Sequence, residues 1–215
     1  LVERAQGSKS FFNKDFFELS EAQSSALNKI NESFADKSVT LLHGVTSSGK
    51  TELYIRLIDD CLKSGRQALY LLPEIALTTQ IITRLEKHFG NKLIVYHSRF
   101  SDNERASVYT RMIENGLTNS EPFIVIGARS SVFLPFNKLG LVIVDEEHES
   151  SYKQFDPSPR YHARDTAIVL AKLFEAKILL GSATPSIETY YNAINGKYGL
   201  VELFARHKDI APPQI

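Results

Sequence analysis

The sequence predicts an α/β fold built on a doubly wound, mainly parallel sheet, and three observations carry that expectation. Short apolar runs recur from Val39 onward, at 39–42, 68–72, 93–96, 123–126, 141–144, 178–180 and 200–203. Stretches of helical period separate them, at 52–63, 77–89, 102–115, 163–174 and 187–194. Turn residues bound the runs, which suits strands covered on both faces. Strand–helix alternation on this scale specifies the doubly wound class, with phosphate-type ligands expected at strand C-termini.

Local signals agree with each element. Ser101 followed by Glu104 is a capping box for the helix at 102–115, and Ser186 precedes the last helix. A further helix is expected at 21–35, opened by Ser20-Glu21-Ala22-Gln23 and preceded by a polar and aromatic segment at 8–17. No internal repeat is visible. The longest stretch without periodicity, 146–161, directly follows a strand, and loops of that length in compact domains are often functional.

Bulk properties narrow the classes. At 215 residues, with 43% hydrophobic and 23% charged residues, the chain fits one domain with a sizeable core. The formal net charge of +0 gives no sign of a protein that coats nucleic acid, so any such contact must be local. No apolar stretch is long enough for a membrane span, and the N-terminus lacks a signal-peptide layout, so a cytoplasmic protein with no membrane partner is expected. The single cysteine, Cys61, supports neither an internal disulfide nor a thiolate zinc site and reads as buried packing. The chain starts at Leu1, its single Met is Met112, and it ends near Ala211-Pro212-Pro213; these ends are expected to be cuts through linkers of a longer protein.

Gly44-Val45-Thr46-Ser47-Ser48-Gly49-Lys50-Thr51 matches G-x-x-x-x-G-K-[ST] without a gap, between an apolar strand and an amphipathic helix. Glycines let successive backbone N–H groups wrap around phosphates, and the helix N-terminus adds its positive dipole end. Lys50 is expected to reach the β- and γ-phosphates of ATP, and the Thr51 hydroxyl to ligate Mg²⁺. The alternative, a glycine-capped turn with a solvated lysine, is disfavoured by the strand-loop-helix context.

At 141–144, Leu-Val-Ile-Val leads into Asp145-Glu146-Glu147-His148, which places carboxylates at the mouth of a buried strand. Asp145 is expected to hold Mg²⁺, and Glu146 to polarise the attacking water as general base. His148 either links the γ-phosphate site to a nucleic-acid side or hydrogen-bonds within the core. Gly181-Ser182-Ala183-Thr184-Pro185 follows another strand, so the Ser182 and Thr184 hydroxyls would lie near the same crevice, although such residues are also ordinary turn formers. In the long loop, Tyr152, Lys153, Phe155, Arg160, Tyr161 and His162 interleave basic and aromatic groups that can grip phosphates and stack on unpaired bases; a core-packing flap is the competing reading.

In this order, the phosphate loop, Asp-Glu-x-His and Ser-Ala-Thr blocks resemble superfamily 2 helicases, whose motor lobes are RecA-like P-loop NTPase domains. The segments Leu72-Pro73-Glu74-Ile75-Ala76-Leu77-Thr78, Ile126-Gly127-Ala128-Arg129-Ser130, Ser151-Tyr152-Lys153-Gln154 and Arg160-Tyr161-His162-Ala163-Arg164-Asp165 narrow the likeness to the PriA family of bacterial replication-restart helicases, over roughly 19–203. The resemblance implies an ATP-binding first lobe at 19–205. It makes 1–18 a linker from an N-terminal DNA-binding region, and 206–215 the start of a linker toward a second lobe and a zinc module, so zinc is expected only outside this chain.

It implies ATP-driven 3′-to-5′ unwinding of forked and single-stranded DNA by a monomer, with primosome and single-strand-binding proteins as partners. It further implies that Gln23 reads adenine, that Arg129 and Ser130 lie beside the DNA backbone, and that the aromatic loop signals to Glu146. Ala128 departs from the family's threonine there. Because the second lobe supplies arginine fingers in such motors, this chain alone is expected to bind ATP and hydrolyse it very slowly. Other readings are a different superfamily 2 translocase, an RNA helicase lobe, or a nucleotide-gated nucleic-acid-binding switch, for which a water-activating Glu146 would be superfluous.

Overall fold

Seven parallel strands carry the fold, and the computed structural model describes residues 17–97, 100–118 and 121–205. Residues 1–16 and 206–215, expected as linkers, lie outside them. In chain order the elements are α1 (Glu21–Asp36), β1 (Val39–Gly44), α2 (Lys50–Lys63), β2 (Gln67–Leu71), α3 (Thr79–Phe89), β3 (Leu93–Tyr96), α4 (Asp102–Thr118) and β4 (Ile124–Gly127). They continue with β5 (Leu139–Asp145), α5 (Ala163–Leu173), β6 (Lys177–Ser182), α6 (Ile187–Ile194) and β7 (Gly199–Leu203).

The expected helix at 77–89 starts later, at Thr79, because Glu74–Ala76 forms a separate 3₁₀ turn and Thr78 is extended (φ −92°, ψ 160°). Ser20 caps α1 through the expected capping box with Gln23, and Ser186 caps α6 by accepting from Thr189 N at 3.3 Å.

The strand order is β3-β4-β2-β5-β6-β1-β7, and each pairing among the described strands is parallel, so the expected mainly parallel sheet is parallel throughout. Side chains alternate along each strand between two apolar layers. On one face Leu42, Ala68, Tyr70, Ile124, Ile126, Ile143 and Leu179 meet α1, α2 and α3. On the other, Leu41, Leu69, Leu71, Val125, Val142, Val144 and Leu180 meet α4, α5 and α6. Covering both faces explains why the strands read as continuous apolar runs; each fully buried aliphatic side chain contributes roughly 1.5–3 kcal/mol of transfer free energy. Helix α5 approaches the sheet through Ala163, Ala167 and Ala171, a stripe at four-residue spacing that lets the backbone come close.

A parallel sheet sends all strand C-termini to one edge. Register places Asp145 beside Gly181 and His43 beside Ser182, so the loops after β5, β6 and β1 open as immediate neighbours.

The end of β4 is packed closely against neighbouring backbone. A Cβ on Gly127 would overlap both Ser131 Oγ and the Tyr96 carbonyl oxygen, and the latter belongs to the paired strand and cannot rotate away. Gly127→Ala is therefore expected to lower stability by about 2–3 kcal/mol in denaturant unfolding. Gly65→Ala, with φ +78° but open space around it, should cost about 1 kcal/mol from backbone strain alone.

Candidate active site

The loop after β1 turns into α2 through two left-handed residues, Ser47 (φ 65°) and Gly49 (φ 80°). Helix α2 has no side-chain cap; in its first turn Glu52 N donates to the Gly49 carbonyl at 3.0 Å, which leaves the preceding N–H groups without a side-chain cap. Inside the loop the Lys50 ammonium donates to the carbonyls of Gly44 (2.7 Å) and Val45 (3.4 Å). Ser48 Oγ is buried without a hydrogen-bond partner. Uncapped donors, an unpaired hydroxyl and a buried ammonium form a cradle suited to a polyphosphate.

Gln23 closes this loop from behind. Its Nε2 donates to the Ser48 carbonyl at 3.1 Å, while Oε1 accepts from Ser20 N at 3.0 Å. The side chain is 1% exposed, so the amide ties the α1 cap to the phosphate loop and keeps one Nε2 hydrogen for any further contact.

Asp145 ends β5. Its carboxylate accepts from Tyr54 Oη (3.0 Å), Tyr70 Oη (3.2 Å) and the Glu146 N–H (3.1 Å). Burial, followed by the charge of Glu146, pushes its pKa from 3.8 to about 6; the Tyr54 hydroxyl, the Lys50 charge and the Tyr70 hydroxyl oppose the rise. Burial, with Asp145 close by, holds the Tyr54 and Tyr70 phenols well above their ordinary range, so both stay hydrogen-bond donors. A Cβ on Gly181 would displace the Tyr54 hydroxyl, which fits glycine at this position of β6. Thr51 and Asp145 have the oxygen chemistry that Mg²⁺ requires once phosphate oxygens complete its shell. Among the described residues no group of three or more His, Cys, Asp or Glu could hold a metal ion unaided, and no helix is long and apolar enough to cross a membrane.

Glu146 occupies the left-handed region (φ 46°), which swings its half-exposed carboxylate away from the strand axis. His148 is exposed rather than buried in the core: Nδ1 lies 2.8 Å from Ser182 Oγ and 3.7 Å from Glu146 Oε2, and Nε2 lies 3.2 Å from Thr184 Oγ1. It thus touches the candidate base and the Ser182–Thr184 hydroxyls together.

After Asp145-His148 the chain forms a strap closed by an antiparallel bridge between Lys153 and His162 and by Gln154 N donating to the Tyr161 carbonyl at 2.8 Å. Phe155 is 63% exposed, with the Lys153 ammonium 4.8 Å from its ring centroid, and Arg160 is exposed. Tyr161 and His162 are half-buried at the strap base. Tyr152 is a correction to the stacking expectation: it is 1% exposed, and its hydroxyl donates to the Asp145 carbonyl at 2.7 Å. A large aromatic directly after the loop finds more apolar contact inward than solvent allows outward, so it braces the Asp145 turn. Arg129 donates to the Lys153 carbonyl at 3.3 Å, with Ser130 half-buried next to it. Cys61 is half-buried, its thiol pushed up to about 12 by burial, which makes it unreactive.

Sequence reasoning missed Tyr54, Tyr70, Phe133 and Glu147. The two tyrosines lie in periods that read as core, and the remaining signal was that a buried tyrosine hydroxyl needs a partner. Phe133 is 55% exposed and packs edge-on to Tyr161 at 4.8 Å, extending the aromatic surface of the strap.

A model described as DEAD/DEAH box helicase matches residues 20–193. Among curated proteins, the replication restart protein PriA of Rickettsia felis is 50% identical over 92% of this chain, and that of Bacillus subtilis 40% identical over 96%. The chain spans 29% and 25% of those relatives' lengths. Solved structures share the fold: RecG bound to a three-way DNA junction (TM-score 0.60, 24% identity, 92% of this chain and 24% of that one) and the Pyrococcus furiosus Hef helicase domain (TM-score 0.61, 15% identity, 92% and 40%).

The raised Asp145 pKa sets a signed expectation. A carboxyl whose folded pKa exceeds its unfolded value favours the folded state while protonated, so stability is lost as pH rises from 3.8 through about 6. The gap corresponds to about 3 kcal/mol. Asp145→Asn should therefore raise the unfolding midpoint at pH 8, and the gain should vanish below pH ~4; a gain independent of pH would refute the electrostatic origin.

Proposed function

This chain belongs to the DEAD/DEAH box helicase family, and from that premise we propose that it is the nucleotide-binding motor lobe of an ATP-driven DNA helicase acting in replication restart. One observation carries the reading: the loops after β1, β5 and β6 meet at one sheet edge, bringing Lys50, Asp145, Glu146, His148 and Ser182 together. Likeness to PriA proteins supports the restart role; forked and single-stranded DNA as partners and 3′-to-5′ direction are further parts of this proposal. Primosome and single-strand-binding proteins as partners, a bacterial cytoplasmic setting and a monomeric state belong to the same reading.

In this mechanism the uncapped α2 N-terminus and Lys50 bind the β- and γ-phosphates. Gln23 offers its remaining amide hydrogen to adenine. Thr51 and Asp145 would hold Mg²⁺, which would supply neutralisation of the phosphate charge. Glu146 accepts a proton as water attacks the γ-phosphorus; the bond to the β-phosphate oxygen breaks, and ADP and inorganic phosphate leave. His148 relays the state of that site to Ser182 and Thr184. Phe155, Phe133, Lys153, Arg160 and Arg129 form the surface for unpaired DNA, with stacking and backbone charge as its means of grip. A second lobe completes the charge stabilisation, so the isolated lobe binds ATP and turns it over very slowly.

Lys50→Ala in the full-length protein should reduce DNA-stimulated ATPase by about 10²–10³-fold, the loss typical of one preorganised electrostatic group. Stimulation by forked DNA should exceed that by RNA; the reverse would favour an RNA helicase, and full turnover in Glu146→Gln a nucleotide-gated switch.

Phe155→Ala/Phe133→Ala should weaken single-strand binding by about tenfold or more, since each stacked base is worth about 1–3 kcal/mol. Unchanged affinity in fluorescence anisotropy would remove these rings from the interface.

A further inference from the structure

Glu147 lies between Glu146 and His148, yet its side chain is fully buried at 0% exposure. Four donors fix its carboxylate: Ser186 N to Oε1 at 2.7 Å, and Arg164 Nη1 (3.0 Å), Thr189 Oγ1 (2.9 Å) and Ser186 Oγ (3.2 Å) to Oε2. Its backbone N–H donates to the Gly181 carbonyl at 3.0 Å. The Arg164 guanidinium also donates from Nη1 to Ser186 Oγ at 2.7 Å and from Nε to Asp165 at 2.8 Å. One buried carboxylate thus joins the β5 loop, the β6 loop and the starts of α5 and α6.

The position of Arg164 gives this cluster direction. It is the second residue of α5, whose N-cap is His162, and His162 pairs with Lys153 at the strap base. Any displacement of the strap that rotates the first turn of α5 moves Arg164, and through the ion pair pulls on Glu147. Glu146 is the preceding residue, held in a left-handed backbone with little freedom to absorb that pull.

We propose that the Glu147–Arg164 ion pair is the positioning link by which DNA on the strap sets the orientation of Glu146, so that it governs stimulation of ATP hydrolysis rather than hydrolysis as such. The proposal rests on the motor reading above. It makes Glu147 and Arg164 positioning residues that touch neither nucleotide nor DNA.

The test measures DNA-free and DNA-saturated ATPase, and single-strand affinity, of the full-length protein as wild type, Arg164→Lys, Glu147→Gln and the double variant. Arg164→Lys keeps the buried carboxylate neutralised but loses the planar fork, so it protects the fold where full truncation would strand a buried charge. The expected result is a DNA-free rate within about twofold of wild type, unchanged strand affinity, and stimulation reduced by about three- to thirtyfold, the range of energetic coupling carried by such networks. The double variant should lose no more than the worse single variant, as two members of one link must. Undiminished stimulation in Arg164→Lys, or equal losses of DNA-free and stimulated rates, would overturn the proposal. If Glu147→Gln fails to fold, Arg164→Lys decides alone. A wild-type protein whose hydrolysis ignores DNA would overturn the motor reading itself, and the link with it.

Discussion

Parallel pairing of β5 with β6 and of β6 with β1 is the constraint from which the site follows. Each strand must run the same way, so each must end at the same edge, and the register leaves Asp145 next to Gly181 and Ser182 next to His43. The candidate catalytic groups are therefore not collected by long loops that must be ordered at entropic cost. Asp145 and Ser182 end their strands, and Glu146, His148 and Lys50 follow within six residues of strands whose positions two apolar layers already fix. A slip of one residue in β5 would exchange Val142 and Val144 with Leu141 and Ile143 between the layers, and would carry Asp145 off the crevice with them.

Electrostatics at that edge opposes packing. Asp145 accepts three hydrogen bonds and is still pushed up to about 6, because desolvation and Glu146 outweigh Tyr54, Lys50 and Tyr70. Such a carboxylate is preorganised for a cation. The fold tolerates this cost because Tyr54 and Tyr70 are among its largest fully buried side chains and do two jobs at once, filling the layer and donating to the carboxylate.

The architecture was legible in the sequence to a high degree, for a physical reason. Strands buried on both faces must be apolar throughout, so 93–96 matches β3 to the residue, and the Ser186 cap marks the start of α6 at Ile187. The phosphate loop was legible because its spacing is set by backbone geometry rather than by side-chain choice. For Tyr152 the core-packing reading holds over the stacking one, a choice the sequence does not make because an aromatic beside a lysine reads alike on either side of a loop. Glu147 was overlooked because an acidic run gives no sign of which member turns inward; only the positive φ of Glu146 decides it. The Gln23 amide serves the α1 capping box through Ser20 and also reaches the phosphate loop through the Ser48 carbonyl, a long-range contact that sequence spacing does not reveal.

The lysine of the phosphate loop bears on how affinity arises here. Lys50 already makes two hydrogen bonds to the Gly44 and Val45 carbonyls, so a polyphosphate does not satisfy an idle ammonium; it competes with the loop's own backbone. Binding is then an exchange of neutral acceptors for charged ones. Its gain lies in the difference between the two, roughly a factor of two in hydrogen-bond strength. Ligands with a neutral oxygen at that position would displace the carbonyls with no net advantage, which makes the loop a discriminator of charge before it is a discriminator of shape.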